Sequence, residues 1–286
     1  MPDPNAGPNA GPNAGPNAGP IRLVVTDVDG TLVKHDKTLA PGTIAAVNRL
    51  REAGIKFGLV SSRPPHGLDV LLAPLGIDTP RAGFNGGEVL GPDDARLSEL
   101  LVDAGAVRAA VEHLTANKVD SWIFGDGKWY LANPNAHYIP REKLSVSLDP
   151  TLVADLSPYY GRVHKLMATC EDFALMARME AEVAALLGDR ATVLRSQNYY
   201  LDVTHPQANK GYAAQQLARL LNIPDSAMCC LGDMPNDVPM FRVAGMSVAM
   251  SNGPEAVQKQ AQYVTGDAEG TGWADAIDRY VLPRAP

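Results

Sequence analysis

Cysteine is scarce in this chain. Its three thiols, Cys170, Cys229 and Cys230, are too few and too badly spaced for a disulfide framework or a zinc site. Two of them are adjacent in an apolar run, which predicts buried free thiols and a reducing, cytoplasmic setting. Clusters of Lys and Arg are missing too. With 25 basic against 32 acidic residues the formal charge is −7, which argues against nucleic acid as the main partner. A small anionic substrate remains compatible, because one site can be positive on an acidic surface. No stretch approaches the ~18–20 continuous apolar residues that span a bilayer, and the N-terminus lacks the basic-then-apolar pattern of a secretory signal. No membrane association is expected.

What remains is ordinary for a globular protein. The chain has 286 residues, 45 % apolar and 20 % charged, enough for one large domain or two smaller ones. Asn5 to Pro20 is four copies of Asn-Ala-Gly-Pro. Proline at every fourth position blocks both helix and ladder hydrogen bonds, so residues 1–20 are expected to form a flexible tail.

From Ile21 onward, short β-branched runs alternate with helical ones, the signal of a parallel α/β sheet. Strands are expected at 21–26 and 55–60, with helices over 41–53 and 66–75. The rhythm returns late, with a helix over 210–221, strands at 227–231 and 246–250, and short helices between and after them. The middle of the chain differs. It carries helical patterns at 107–117 and 173–187 and strand candidates at 121–124, 129–131, 163–169 and 191–195. A Rossmann-like core made of 21–86 and 202–286 is therefore expected, with an α/β domain inserted over 87–201.

Four segments carry chemistry. Asp27-Val28-Asp29-Gly30-Thr31-Leu32 follows the first strand, so its two carboxylates fall at the ligand-binding edge of a parallel sheet. Gly30 lets the backbone leave the strand pattern there, so that both can serve one site. Ser61-Ser62-Arg63-Pro64 closes the second strand with hydroxyls and free N–H groups suited to an anion. Lys210 opens a helix, where the macrodipole disfavours a cation unless it serves a purpose such as binding an anion. Gly232-Asp233-Met234-Pro235-Asn236-Asp237 follows the Cys-Cys strand and adds two carboxylates and an amide. Hard oxygen ligands of this kind suit Mg²⁺. Taken in order, these segments describe one pocket for an anion and a metal. Read one at a time, an Asp-Gly turn, a Ser-Ser loop, a solvated lysine and a helix cap would account for them.

On these segments the sequence resembles the haloacid dehalogenase superfamily, in its Cof-type branch with a large α/β cap. The matching strings are DVDGTL at 27–32, Ser61 in SSRP, Lys210 in HPQANKG and GDMPND at 232–237, with FNGG at 84–87 and SNG at 251–253 as further branch features. Ser61-Ser62 stands where the branch usually has Thr-Gly. The resemblance implies a phosphatase in which Asp27 is the nucleophile and Asp29 the proton donor and then base. It implies Mg²⁺ held by the Asp27 side chain, the Asp29 carbonyl and Asp233. Ser61, Ser62, Lys210, Asn85 and Asn236 would face the phosphate, supported by Thr31, Arg63, Gly232, Asp237 and Asn252. The inserted domain would be the cap that selects the leaving group, with Trp122, Trp129, Tyr130, His137, His164 and Lys165 as candidates and none singled out. The expected partner is a small phosphorylated metabolite acted on by a monomer or small homo-oligomer. A phosphomutase on the same scaffold and a non-catalytic phosphometabolite binder are the alternatives.

Overall fold

The computed structural model describes residues 19–40 and 42–286. Most of the expected tail, 1–18, and Pro41, the expected start of a helix, lie outside them. Five strands come first: β1 (Leu23–Thr26), β2 (Lys56–Val60), β3 (Arg81–Gly83), β4 (Glu88–Leu90) and β5 (Arg96–Glu99). Six follow: β6 (Asp120–Gly125), β7 (Lys128–Leu131), β8 (Pro150–Leu152), β9 (Lys165–Thr169), β10 (Thr192–Gln197) and β11 (Tyr200–Thr204). Then come β12 (Met228–Gly232), β13 (Met246–Met250) and β14 (Tyr263–Thr265). The helices that matter here are α1 (Thr43–Glu52), α2 (Asp69–Leu75), α3 (Ala104–Ala116), α4 (Ile139–Val146), α5 (Phe173–Leu187), α6 (Lys210–Leu220) and α7 (Val238–Val243).

The strands form two sheets, ordered β14-β13-β12-β1-β2-β3-β4-β5 and β10-β11-β9-β6-β7-β8. The first is parallel from β14 to β3, as an α/β core requires, with an antiparallel edge at β4 and β5. Its central strands are apolar throughout because both faces are covered. Val24 of β1 packs with Ala46, Val47 and Leu50 of α1, while Leu23 and Val25 face Ala213, Ala214 and Leu217 of α6. Each valine or leucine among these contributes about 1.5–3 kcal/mol by leaving water. Cys229 and Cys230 alternate in the same way, one on each face. Both thiols are free and buried, and burial pushes Cys229 up to about 12 and Cys230 well above the ordinary value.

The second sheet is antiparallel except at β7–β8. One face carries α3 and α5 over Ile123, Leu166, Leu201 and Val203. The other presents Trp122, Phe124, Trp129 and Met167, which pack with Phe84 of the first layer.

Three details depart from expectation. The helix over 66–75 opens as a 3₁₀ turn, Pro65–Leu68, before α2 begins. A Cβ on Gly67 in that turn would lie 2.8 Å from the Val146 carbonyl at the end of α4, so glycine lets the two layers meet there. The changeovers at 86/87 and 201/202 are also shifted. The Phe84–Gly86 turn folds the chain straight back, pairing Ala82 with Val89, so 88–99 stay in the first sheet. Residues 202–204 complete β11 in the second.

Where the layers join, charges interlock. Arg162 binds Asp126 at 2.8 Å, and Arg96 reaches Glu88 at 2.9 Å and Asp126 at 3.8 Å. His164 is buried between Phe84, on which it stacks, and Glu99, whose carboxylate is 3.3 Å from Nε2. Burial holds the His164 imidazole below its usual range even though Glu88 pulls the other way. Below about pH 6.5 the unfolded chain therefore takes up a proton that the folded one refuses, and stability is lost as pH falls. His164→Gln should be less sensitive than the parent to a shift from pH 7.5 to 5.5 in urea unfolding. The difference should reach at most about 1.4 kcal/mol per pH unit; identical pH responses would contradict it.

Candidate active site

β1 lies between β12 and β2, with Thr26 level with Leu231 on one side and Leu59 on the other. The chain leaves β1 for β2 on one side and leaves β12 for β13 on the other, so a crevice opens at the C-terminal ends of β1 and β12. Asp27 sits there, 4 % exposed, with its N–H still donating to the Leu231 carbonyl. The backbone then turns tightly, and the N–H groups of Leu32 and Val33 both donate to the Val28 carbonyl. Gly30 takes φ +78° in this turn, and a Cβ there would lie 2.6 Å from an Asp233 carboxylate oxygen. Glycine is thus needed for conformation and for clearance alike.

Asp233 ends up beside Asp27 for identifiable reasons. Its Oδ1 accepts from Thr31 Oγ1 at 2.7 Å, and Asn252 Nδ2 donates to the Gly30 carbonyl at 2.8 Å. Its own N–H and that of Met234 donate to Asp237 Oδ2 at 2.8 and 2.7 Å. Gly232 makes room for this, since a Cβ there would meet the Asp237 side chain at 2.4 Å. The carboxylate of Asp237 faces back toward the strand and does not cap α7 by its side chain. Lys210, on the first turn of α6 and 2 % exposed, donates to Asp237 Oδ1 at 2.6 Å and lies 2.7 Å from Asp27 Oδ1.

Asp29 takes a different direction. Arg63 holds it through two hydrogen bonds, Nε to Oδ2 at 2.7 Å and Nη2 to Oδ1 at 2.5 Å, and Lys37 adds a third at 2.6 Å. Burial alone would raise this carboxyl, but Arg63 and then Lys37 outweigh it and keep it below the usual range. Ser61 is fully buried, its Oγ accepting from the Arg63 N–H at 3.1 Å and its carbonyl from the Asn85 N–H. Asn85 adopts φ 56°, and its Oδ1 is buried with no partner among the described residues. Ser62 and Asn236 lie half-buried at the same edge, and neither side chain forms a hydrogen bond among those residues. All the expected core positions therefore gather at one sheet edge, with Asp237, Arg63, Thr31 and Asn252 tying them together. Lys37 had no distinguishing signal in the sequence; a bend that brings it back onto Asp29 selects it.

Charge in the crevice is unbalanced. Asp27, Asp233 and Asp237 have carboxylate oxygens within 4.8 Å of one another, and Lys210 is the ammonium among them. Burial raises Asp27 to about 8, Lys210 opposing and Asp237 adding. Burial likewise raises Asp233 to about 6, with Thr31 opposing and Asp237 adding. Lys210 moves upward because Asp237 and Asp27 more than offset its own burial. Both oxygens of Asp237 are engaged, so Asp27 and Asp233 are the pair with capacity for a cation. Two buried hard-oxygen donors, with one ammonium among three carboxyls, fit a small divalent ion such as Mg²⁺.

The expected cap residues divide. Trp122 and Trp129 are fully buried in the second layer, Tyr130 stacks on Tyr159, and exposed His137 pairs with Glu171. His164 stacks on Phe84 and the Lys165 ammonium lies over its ring, so these two present polar groups where that layer covers the Phe84 turn.

Comparison with known proteins shows the family and the fold. The model of the haloacid dehalogenase-like hydrolase family matches residues 24–277. The chain is 27 % identical to the 5-amino-6-(5-phospho-D-ribitylamino)uracil phosphatase of Escherichia coli, covering 93 % of this chain and 98 % of that one. It is also 27 % identical to the pyridoxal phosphate phosphatase of Escherichia coli, over 86 % and 93 % respectively. A crystal structure of a haloacid dehalogenase-like hydrolase from Bacteroides thetaiotaomicron superposes with a TM-score of 0.84, at 26 % identity over 91 % of this chain and 99 % of the other.

Two consequences are measurable without a substrate. In metal-free buffer the folded state keeps a proton on Asp27 that the unfolded state has released, so stability falls as pH rises from 6.5 toward 8. Asp27→Asn should flatten that decline; an unchanged slope would contradict the assignment. Lys210→Met should cost about 3–5 kcal/mol in urea unfolding at pH 7.5, because it leaves buried carboxylates without a counter-charge.

Proposed function

The chain belongs to the haloacid dehalogenase-like hydrolases, and from that premise we propose that it is a Mg²⁺-dependent phosphatase of small phosphorylated metabolites. The observation that carries this reading is the convergence of Asp27, Asp233 and Lys210 at the ends of parallel strands. The names of the two Escherichia coli relatives support phosphate monoesters as the substrate class. The second layer, with the chain between about 100 and 204, is proposed as the cap, and the buried free thiols suit a reducing cytoplasm.

In this proposal the Asp27 carboxylate attacks phosphorus and the bond to the leaving oxygen breaks, giving an aspartyl-phosphate. Lys210 Nζ and the Ser61–Arg63 loop neutralise the equatorial oxygens as charge shifts onto them. Asp27, Asp233 and the Asp29 carbonyl would hold the Mg²⁺, which when bound offsets the charge between carboxylate and phosphate. Asp29 gives its proton to the leaving oxygen, then removes one from the water that attacks phosphorus, freeing phosphate and Asp27. Bound by Arg63 and Lys37, Asp29 is ionised and suited to the second of these tasks. Serving as acid requires the carboxyl to turn away from them and to carry a proton, taken from solvent or kept from the water of the preceding turnover. Departure of the leaving group is thereby coupled to opening the Arg63–Lys37 clamp, and exposed Lys37 is the part free to swing.

Asp27→Asn should lower Mg²⁺-dependent phosphate release from p-nitrophenyl phosphate by about 10³-fold or more, with stability kept or raised. Equal rates in parent and variant would remove Asp27 as nucleophile. Asp233→Asn should raise the Mg²⁺ concentration for half-maximal rate by at least about tenfold. The same half-saturation in both proteins would contradict its role as a ligand.

A further inference from the structure

Among the described residues, one buried cation outside this machinery lacks a hydrogen-bond partner. Lys165, at the start of β9, is 5 % exposed, and among the described residues its ammonium donates no hydrogen bond to the protein. It lies 4.9 Å from the Phe124 ring centre and 5.9 Å from that of Phe84. Aromatic faces attract a cation but satisfy none of its three donors. Its nearest carboxylate oxygen is Asp202 Oδ1, 4.0 Å away, an atom that is itself buried and without a hydrogen-bond partner. Leaving the Asp202 oxygen unpaired out of water is costly.

Sheet register explains the placement. Lys165 is level with Thr204 and Asp202 with Met167, so the two are diagonal neighbours on one face. That face also carries Trp122 and Phe124 and packs with Phe84, opposite the side covered by α3 and α5. Phe84 in turn donates its N–H to the Arg63 carbonyl, and Arg63 holds Asp29. The pair thus overlies the turn next to the proposed phosphoryl site.

The spacing is selective. Four ångströms is too long for a direct hydrogen bond. A hydroxyl oxygen at ~2.8 Å from both atoms would subtend an angle near ~90°, within the range an sp³ oxygen tolerates while accepting from the ammonium and donating to the carboxylate. Thr169 Oγ1 and Trp122 Nε1, also buried without partners, extend the polar lining of the face. Buried Glu142 adds a second carboxyl to this cluster, so a second phosphate would meet acidic groups there. Taking the phosphatase reading as given, we propose that Lys165 and Asp202 recognise a hydroxyl of the leaving group and set the enzyme's preference for hydroxylated, singly phosphorylated substrates.

The test compares a hexitol monophosphate with n-hexyl phosphate, esters of equal chain length with and without hydroxyls. The ratio of their kcat/KM values is measured in the parent, Lys165→Met and Asp202→Ala. The parent should favour the hexitol ester by at least about tenfold. Each variant should reduce that preference at least about fivefold, mainly through KM, and Lys165→Arg should recover part of it. Two variants on different strands guard against one that fails to fold. A ratio unchanged in both, or equal loss on the two esters, would overturn the proposal. A parent that releases phosphate from neither ester would instead overturn the phosphatase reading on which it rests.

Discussion

One buried ammonium organises the crevice. Lys210 reaches Asp27 at the end of β1 and Asp237 beyond β12, joining segments that are far apart in sequence. Asp237 then holds the N–H groups of Asp233 and Met234, and Asp233 receives Thr31 from the β1 turn. Remove the ammonium and three acidic side chains are left confronting one another out of water. Burial first, and then this excess of negative charge, raises Asp27 and Asp233, and the same excess suits the place to a divalent cation. Stability and chemistry oppose each other here, since the charges a phosphatase needs are those a folded chain pays to bury.

The rest of the molecule brings these groups together and encloses them. Parallel pairing puts the ends of β1, β2 and β12 side by side, and two glycines, Gly30 and Gly232, permit approaches that any side chain would block. The second sheet adds a face that covers the Phe84 turn, fastened by Arg96 and buried His164. Asp29 is the group whose role depends on movement. Its clamp by Arg63 and Lys37 keeps it charged, so the proposed chemistry requires that contact to break and re-form with each turnover.

Much of this could be read before the fold was known. The apolar run before Asp27 and the Cys-Cys run before Asp233 identified buried strands whose ends carry carboxylates, because a strand covered on both faces admits no polar residue until it emerges. Less visible were the elements without that signature. β5, Arg-Leu-Ser-Glu, is an exposed edge strand with little apolar content, and β11 carries Asp202 in its middle. α4 has a proline at its second position and is rich in charge. Each is held by its neighbours more than by its own composition, which is why the changeovers between layers fell at different residues from those expected. Roles set by side-chain direction were hidden for the same reason. Nothing in sequence distinguishes Lys37, which reaches Asp29, from Lys34, which pairs with Asp36. Nor does it separate Lys165 from the tryptophans beside it, which are packed out of reach.

The central claim is covalent and can be observed as such. Rapid mixing of the enzyme with Mg²⁺ and a radiolabelled phosphate monoester, acid quenching within one turnover and peptide mapping would locate any phosphorylated side chain. The account predicts an acid-stable, hydroxylamine-sensitive label on the peptide containing Asp27, formed and lost at rates compatible with turnover. Turnover with no labelled peptide, or with label on another residue, would contradict it.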